Sequence, residues 1–174
     1  MKLIILLLSL SLCFGCNQKQ AAKKTNTSAA GLDTAAFTYS VSEEDTSMNA
    51  AIDKAKKTIN KFDSALNSNN SLYTDFAVKK RYSTPDGDGE HIWIGGVKLV
   101  NGYYKGIINN DVEKTTEVKY GDTVLVGKNE ITDWMYIDNN VLKGGYTIRE
   151  IRSHLNKEQQ DKMDKELGCK IENE

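Results

Sequence analysis

The chain is poor in the residues that staple, ligate or span. Of 174 residues, three are cysteine, two are histidine and one is proline, and 23 Lys+Arg stand against 24 Asp+Glu for a formal net charge of −1. Two of the cysteines, Cys13 and Cys16, lie in the first sixteen residues, so Cys169 is the one thiol left beyond them. An internal disulfide in the following domain is excluded, and its stability must come from a core. Cys169 sits among polar residues near the C-terminus and reads as a partly buried spectator. The balanced charge, with no basic stripe, argues against nucleic acid as a partner. No His/Cys spacing offers three metal ligands, no Gly-x-Ser-x-Gly elbow presents a nucleophile, and no metal or cofactor is expected. Nor does any apolar run approach the ~20 residues of a membrane-spanning helix.

The first residues are the exception to this plainness. Met1-Lys2 is followed by a short apolar core, Leu3 to Leu12, and by Cys13-Phe14-Gly15-Cys16. That order is an export signal, and its last four residues resemble the lipobox of bacterial lipoproteins, although Cys13 departs from the leucine-like residue usual there. The resemblance implies cleavage after Gly15 and lipid on Cys16, which makes a bacterial membrane the expected partner and the cell envelope, outside the cytoplasm, the expected location. Residues 1–15 are then a signal peptide. Residues 16–41, rich in Asn, Gln, Lys, Ala, Thr and Ser without period, read as a flexible tether. Residues 42–174 form one α+β domain of ordinary size.

Within that domain the strongest local signal is Asn101-Gly102, set between Glu90–Val100 and Tyr103–Asn109, two runs rich in β-branched and aromatic residues. Asn-Gly suits a two-residue hairpin turn whose central positions both need φ > 0. Strict alternation places Ile92 and Ile94 on one face and Trp93, Val97 and Leu99 on the other, so the hairpin is expected inside a sheet covered on both sides. Ahead of it, Ser42-Glu43-Glu44-Asp45 fits a capping box. Met48, Ile52, Ala55, Ile59, Phe62 and Leu66 then recur at spacings of three and four, drawing the stripe of an amphipathic helix that ends near Asn67. Tyr73–Ser83 reads as a strand with Phe76, Val78 and Tyr82 inward. Thr123–Val126 and Ile131–Ile137 read as further strands, and Asn139-Asn140 as a second hairpin turn into Val141-Leu142. Thr147-Ile148-Arg149-Glu150 suggests another capping box, and Asn156 with Gln159 a last helix stopped by Gly168. The expected fold is α+β: an N-terminal amphipathic helix on a bent antiparallel sheet, with barrel-like closure an open alternative, and short C-terminal helices.

Two clusters could carry chemistry. His91 sits beside Glu90 and Trp93, and Asp133 beside Trp134 and Tyr136. Were their strands neighbours, His91 and Asp133 could face each other as a base with its orienting carboxylate, which would suit a hydrolase-like enzyme. The ordinary alternative is a histidine hydrogen-bonded to an aspartate that locks two strands together. The rings Trp93, Tyr103, Tyr104, Trp134, Tyr136 and Tyr146 either fill the core or, with Glu90 and Arg149, mark a binding face for an envelope protein or a small molecule. A third reading, an immunity or inhibitor protein, has no residue of its own to support it. Asp86, Asp88 and Glu90 alternate like a calcium loop, but His91 stands where the glycine is required and no glutamate follows at the twelfth position.

From Tyr39 to Leu167 the chain resembles the YegJ-like bacterial domain of unknown function. The likeness rests on Glu44-Asp45 with Met48 and Ala51, Phe62, Val78-Lys79, Glu90-His91-Ile92-Trp93-Ile94, Gly106 and Asn109, Gly121-Asp122, Asp133-Trp134-Met135-Tyr136 after Ile131, and Gly145-Tyr146-Thr147 before Arg149. It departs at Asn110, where that family often has proline. The resemblance implies a small α+β domain and assigns neither an activity nor catalytic residues.

Overall fold

The computed structural model describes residues 45–172. Along them run α1 (Thr46–Leu66), β1 (Tyr73–Ser83), β2 (Gly89–Val100), β3 (Tyr103–Ile108), β4 (Thr123–Val126), β5 (Ile131–Asp138), β6 (Val141–Gly144), α2 (Tyr146–Ser153) and α3 (Lys157–Leu167), with a 3-10 turn at Lys128–Glu130. The sheet is wholly antiparallel in the order β4-β3-β2-β1-β5-β6. It is therefore α+β as the sequence implies, but open: β4 and β6 are its outermost strands, and barrel-like closure does not occur.

Each boundary has a local cause. The Asp45 carboxylate accepts from the Ser47 and Met48 backbone N–H groups at 3.0 and 3.1 Å, satisfying two of the donors that a helix start leaves unpaired. The helix start expected at Ser42 lies outside the described residues, whereas the end at Asn67 falls where the apolar spacing puts it. Asn101 (φ 49°) and Gly102 (φ 80°) make the central hairpin turn, and Asn139 (φ 45°) with Asn140 (φ 67°) makes the second. The Asn156 side chain accepts from Gln159 N, and Gly168 ends α3 in the left-handed region. The capping box expected at Thr147 is not formed. The cap residue of α2 is Gly145, and Thr147 lies in the first turn with its hydroxyl engaged elsewhere.

The two faces of the sheet bury separate cores. Val78, Ile92, Ile94, Ile108 and Trp134 share one cluster with Ala55, Ile59 and Phe62 of α1. Ala77, Trp93, Met135 and Ile137 share the other with Ile148 of α2 and with Met163 and Leu167 of α3. Neighbouring residues of one strand thus enter opposite cores, which is why β1, β2 and β5 read as apolar on both sides.

Strict alternation fails at one place in β2. Gly95 pairs with Ile107 and Lys98 with Lys105, so β2 holds one residue more than β3 across that gap. Gly96, at φ +61°, supplies the left-handed residue that such a bulge needs. The extra residue reverses the phase of the rest of the strand. Val97 joins Ile92 and Ile94 instead of Trp93, Leu99 opposes the buried Tyr104, and Lys98 and Val100 turn to the other side.

Candidate functional site

Gly145 has no side chain with which to cap α2, and a carboxylate from another strand does so instead. Asp133, on β5, is fully buried. Its Oδ1 accepts from the Trp134 and Tyr146 N–H groups at 2.8 and 3.2 Å, and its Oδ2 from the Thr147 N–H and hydroxyl at 2.8 and 2.7 Å. Tyr146 N–H and Thr147 N–H are first-turn donors, at the positive end of the helix dipole. Gly144 (φ +68°) leads the chain into this cap, where a Cβ would stand 2.3 Å from the Trp134 carbonyl oxygen.

Beside Asp133, on the same face, lies Lys79. It is the register partner of Asp133 across β1–β5 and of Trp93 across β1–β2. Its Nζ donates to Thr147 Oγ1 at 3.0 Å and stands 5.0 Å from the centre of the Trp93 ring. The hydroxyl of Thr147 therefore accepts from the amine and donates to the carboxylate, joining the two charges through one oxygen. Burial lowers the Lys79 pKa against the pull of Asp133. Burial raises that of Asp133 against Lys79 and its hydrogen bonds. Three of the four contacts to Asp133 are backbone N–H groups, which can only donate and so favour the ionised carboxylate against its burial.

The structure does not join His91 to Asp133. His91 opposes Arg81 in the sheet, and its Nδ1 lies 3.0 Å from Thr132 Oγ1, which is itself 3.3 Å from the Lys79 carbonyl oxygen. Loss of water about the ring, then the positive charges of Lys79, Arg81 and Lys56, push the His91 pKa down to about 4. The residue is nevertheless solvent-exposed. The Asp133 carboxylate, with two donors on each oxygen, is occupied by its own helix cap.

The remaining residues singled out in the sequence are held by internal contacts. Glu90 clamps the loop after β3, accepting from the Glu113, Lys114 and Thr115 N–H groups at 2.8, 3.0 and 2.8 Å. Burial works to raise its pKa, but these donors and the Lys114 charge hold it below the usual carboxylate range. Trp93 is 4% exposed, and its backbone N–H donates to the Oδ1 of Asn110, the residue at which the chain departs from the family resemblance. Trp134 is 2% exposed, with its indole N–H donating to the Ala55 carbonyl at 3.0 Å. Tyr136, half-buried, stacks on Phe76 and Trp134. Arg149 donates to the carbonyls of Gly144, Leu142 and Glu172. Burial pushes the Cys169 thiol up to about 11, a spectator's environment. Lys79 does not stand out in the sequence, because Lys79-Lys80-Arg81 is a run of like charges. The signal available was that a strand covered on both faces must find a partner for any amine it turns inward.

The exposed apolar surface lies elsewhere. Tyr103, Ile107 and Leu125 are 52%, 49% and 58% exposed, and Val100 is 39% exposed. Register places them together on the outer side of β2, β3 and β4, with Lys98 and Lys105 between them.

Among known proteins, the chain is 36% identical over 116 residues to "Uncharacterized protein YegJ" of Escherichia coli, a match covering 67% of this chain and 74% of that protein. It is also 32% identical over 137 residues to "Putative ankyrin repeat protein NMB1133/NMB1171" of Neisseria meningitidis serogroup B, covering 75% of this chain but 54% of that protein. No solved structure matches. The motifs about His91 and Asp133, and the helix and strands that carry them, all fall within residues 45–171, and over those residues the chain matches, and belongs to, the bacterial family described as "Uncharacterized protein conserved in bacteria (DUF2314)".

Proposed function

We propose that this is a non-catalytic binding module, exported and held at a bacterial membrane by lipid on Cys16, whose binding face is the outer side of β2, β3 and β4. The observation that carries this reading is the division of the surface. Asp133 is committed to capping α2 and Glu90 to clamping the loop after β3, and His91 is not joined to Asp133. Large apolar side chains that a folded domain normally covers are instead exposed together on one three-stranded face. The anchor rests on the sequence pattern of the first sixteen residues, with residues 16–41 as the tether. The ring cluster about Trp93 and Trp134, the other site considered for binding, offers a partner little surface because both rings are core.

Mass spectrometry of the chain recovered from a bacterial membrane fraction tests the anchor. The expected product begins at Cys16 and carries acyl chains, and Cys16→Ser leaves the membrane fraction. A mature chain that begins elsewhere, or a Cys16→Ser chain that still fractionates with membranes, would remove the lipid from this reading.

A further inference from the structure

Lys98 and Lys105 stand directly opposite each other across β2 and β3. Like charges so placed destabilise a sheet, and neither lysine has an ion-pair partner among the described residues. The sequence offers them none nearby, since no aspartate or glutamate occurs from His91 to Asn110. Around the pair lie Val100, Tyr103, Ile107 and Leu125, all exposed. At the hairpin tip Leu99 is 44% exposed on the opposite side, so the tip about Asn101-Gly102 is apolar on both sides. The bulge at Gly96 creates this arrangement, because without the phase reversal Lys98 and Val100 would point to the Ile94 side.

We infer that this face docks on the surface of an anionic phospholipid bilayer, with the β2–β3 tip and Leu125 entering the headgroup boundary and Lys98 and Lys105 against phosphates. The inference deepens the proposed function by naming what the binding face meets. Charge complementarity decides for a bilayer over an added strand. A strand added at β4 would lie beyond Leu125 and leave Lys98, two strands further in, uncompensated, whereas a plane of anions reaches both lysines at once. Apolar side chains interleaved with lysines that reach upward, and a tyrosine at the boundary, are the chemistry of an interfacial surface. Lysines near a charged membrane each strengthen association severalfold.

Full-length chain bearing Tyr103→Trp tests this with vesicles of phosphatidylethanolamine and phosphatidylglycerol containing brominated acyl chains. Trp93 and Trp134 are buried, so quenching reports the new indole at position 103. The expected result is quenching that falls about tenfold in apparent affinity when Lys98 and Lys105 are both changed to Gln, and that is absent with phosphatidylcholine vesicles. Near-ultraviolet circular dichroism confirms that each variant is folded, and Lys98→Gln alone serves if the double variant is not. Vesicle association without quenching at position 103 would leave the lipid anchor standing and overturn the docking face. Equal quenching with neutral lipid, or quenching indifferent to the lysines, overturns recognition of anions. Absence of vesicle association together with concentration-dependent dimerisation, lost on Leu125→Ser, assigns the face to a second copy of the chain and overturns the bilayer.

Discussion

At the scale of single residues, the fold depends on carboxylates that cap or clamp backbone at a distance. Asp133→Asn keeps the size of the side chain but turns an amide N–H₂ toward groups three of which can only donate, leaving buried N–H groups unsatisfied. The expected loss is about 2–4 kcal/mol in urea unfolding, against roughly 1–3 kcal/mol for Thr147→Val, which keeps three of the four bonds. Equal, negligible effects would show that α2 does not depend on this cap. His91 makes a different prediction, through pH. Its folded pKa lies near 4, below an unfolded value of 6.5, so between those values the unfolded chain binds the extra proton and stability falls as pH falls. Because the residue is exposed, solvent screening should hold the effect to roughly 1 kcal/mol. Melts of wild type and His91→Gln should therefore diverge between pH 6.5 and 4 and run parallel above pH 7.

At the scale of elements, one glycine decides which side chains meet water. Gly96→Val has open space for its side chain but must take a left-handed φ, which costs on the order of 1–2 kcal/mol. Deleting Gly96 is a harsher change, since it removes the bulge and swings Lys98 and Val100 toward the buried face. The deletion is expected to unfold the domain at 37 °C while Gly96→Val does not, as circular dichroism would read. This glycine also marks where the sequence stopped being legible. The strands, both Asn-containing hairpin turns and the Asn156 cap rest on local chemistry, and local pattern sufficed to place them. The reversal at Gly95-Gly96-Val97 is a matter of register between strands, for which a count of alternating residues carries no information. The cap of α2 was hidden for a related reason. Thr147 has the side chain of a cap and Gly145 does not, so only the pairing of β5 with its neighbours reveals that Asp133 supplies the acceptor from twelve residues upstream. Lys79, in turn, became a site residue only once β1 stood between β2 and β5 and its inward-facing side was closed.

At the scale of the molecule, β1, β2 and β5 each send residues into both cores, and β1 lies between the other two. It pairs with β2 on one side and β5 on the other, and its alternate residues Ala77 and Val78 enter opposite cores. A sheet whose central strand is common to two cores cannot lose one and keep the other without exposing the strand's other face. The described domain should then unfold in a single transition despite having two separate cores. Phe62→Ala opens a cavity in the core that α1 lines, and Met163→Ala opens one beneath α3, on the other side of the sheet. Expected costs are about 3–5 and 2–5 kcal/mol, read as shifts of the urea midpoint at constant m. With no shared contact cluster, the two should add to within about 0.5 kcal/mol in the double variant. A biphasic curve in either single variant would show that the helices on the two faces melt independently, and that the sheet between them does not bind the cores into one cooperative unit.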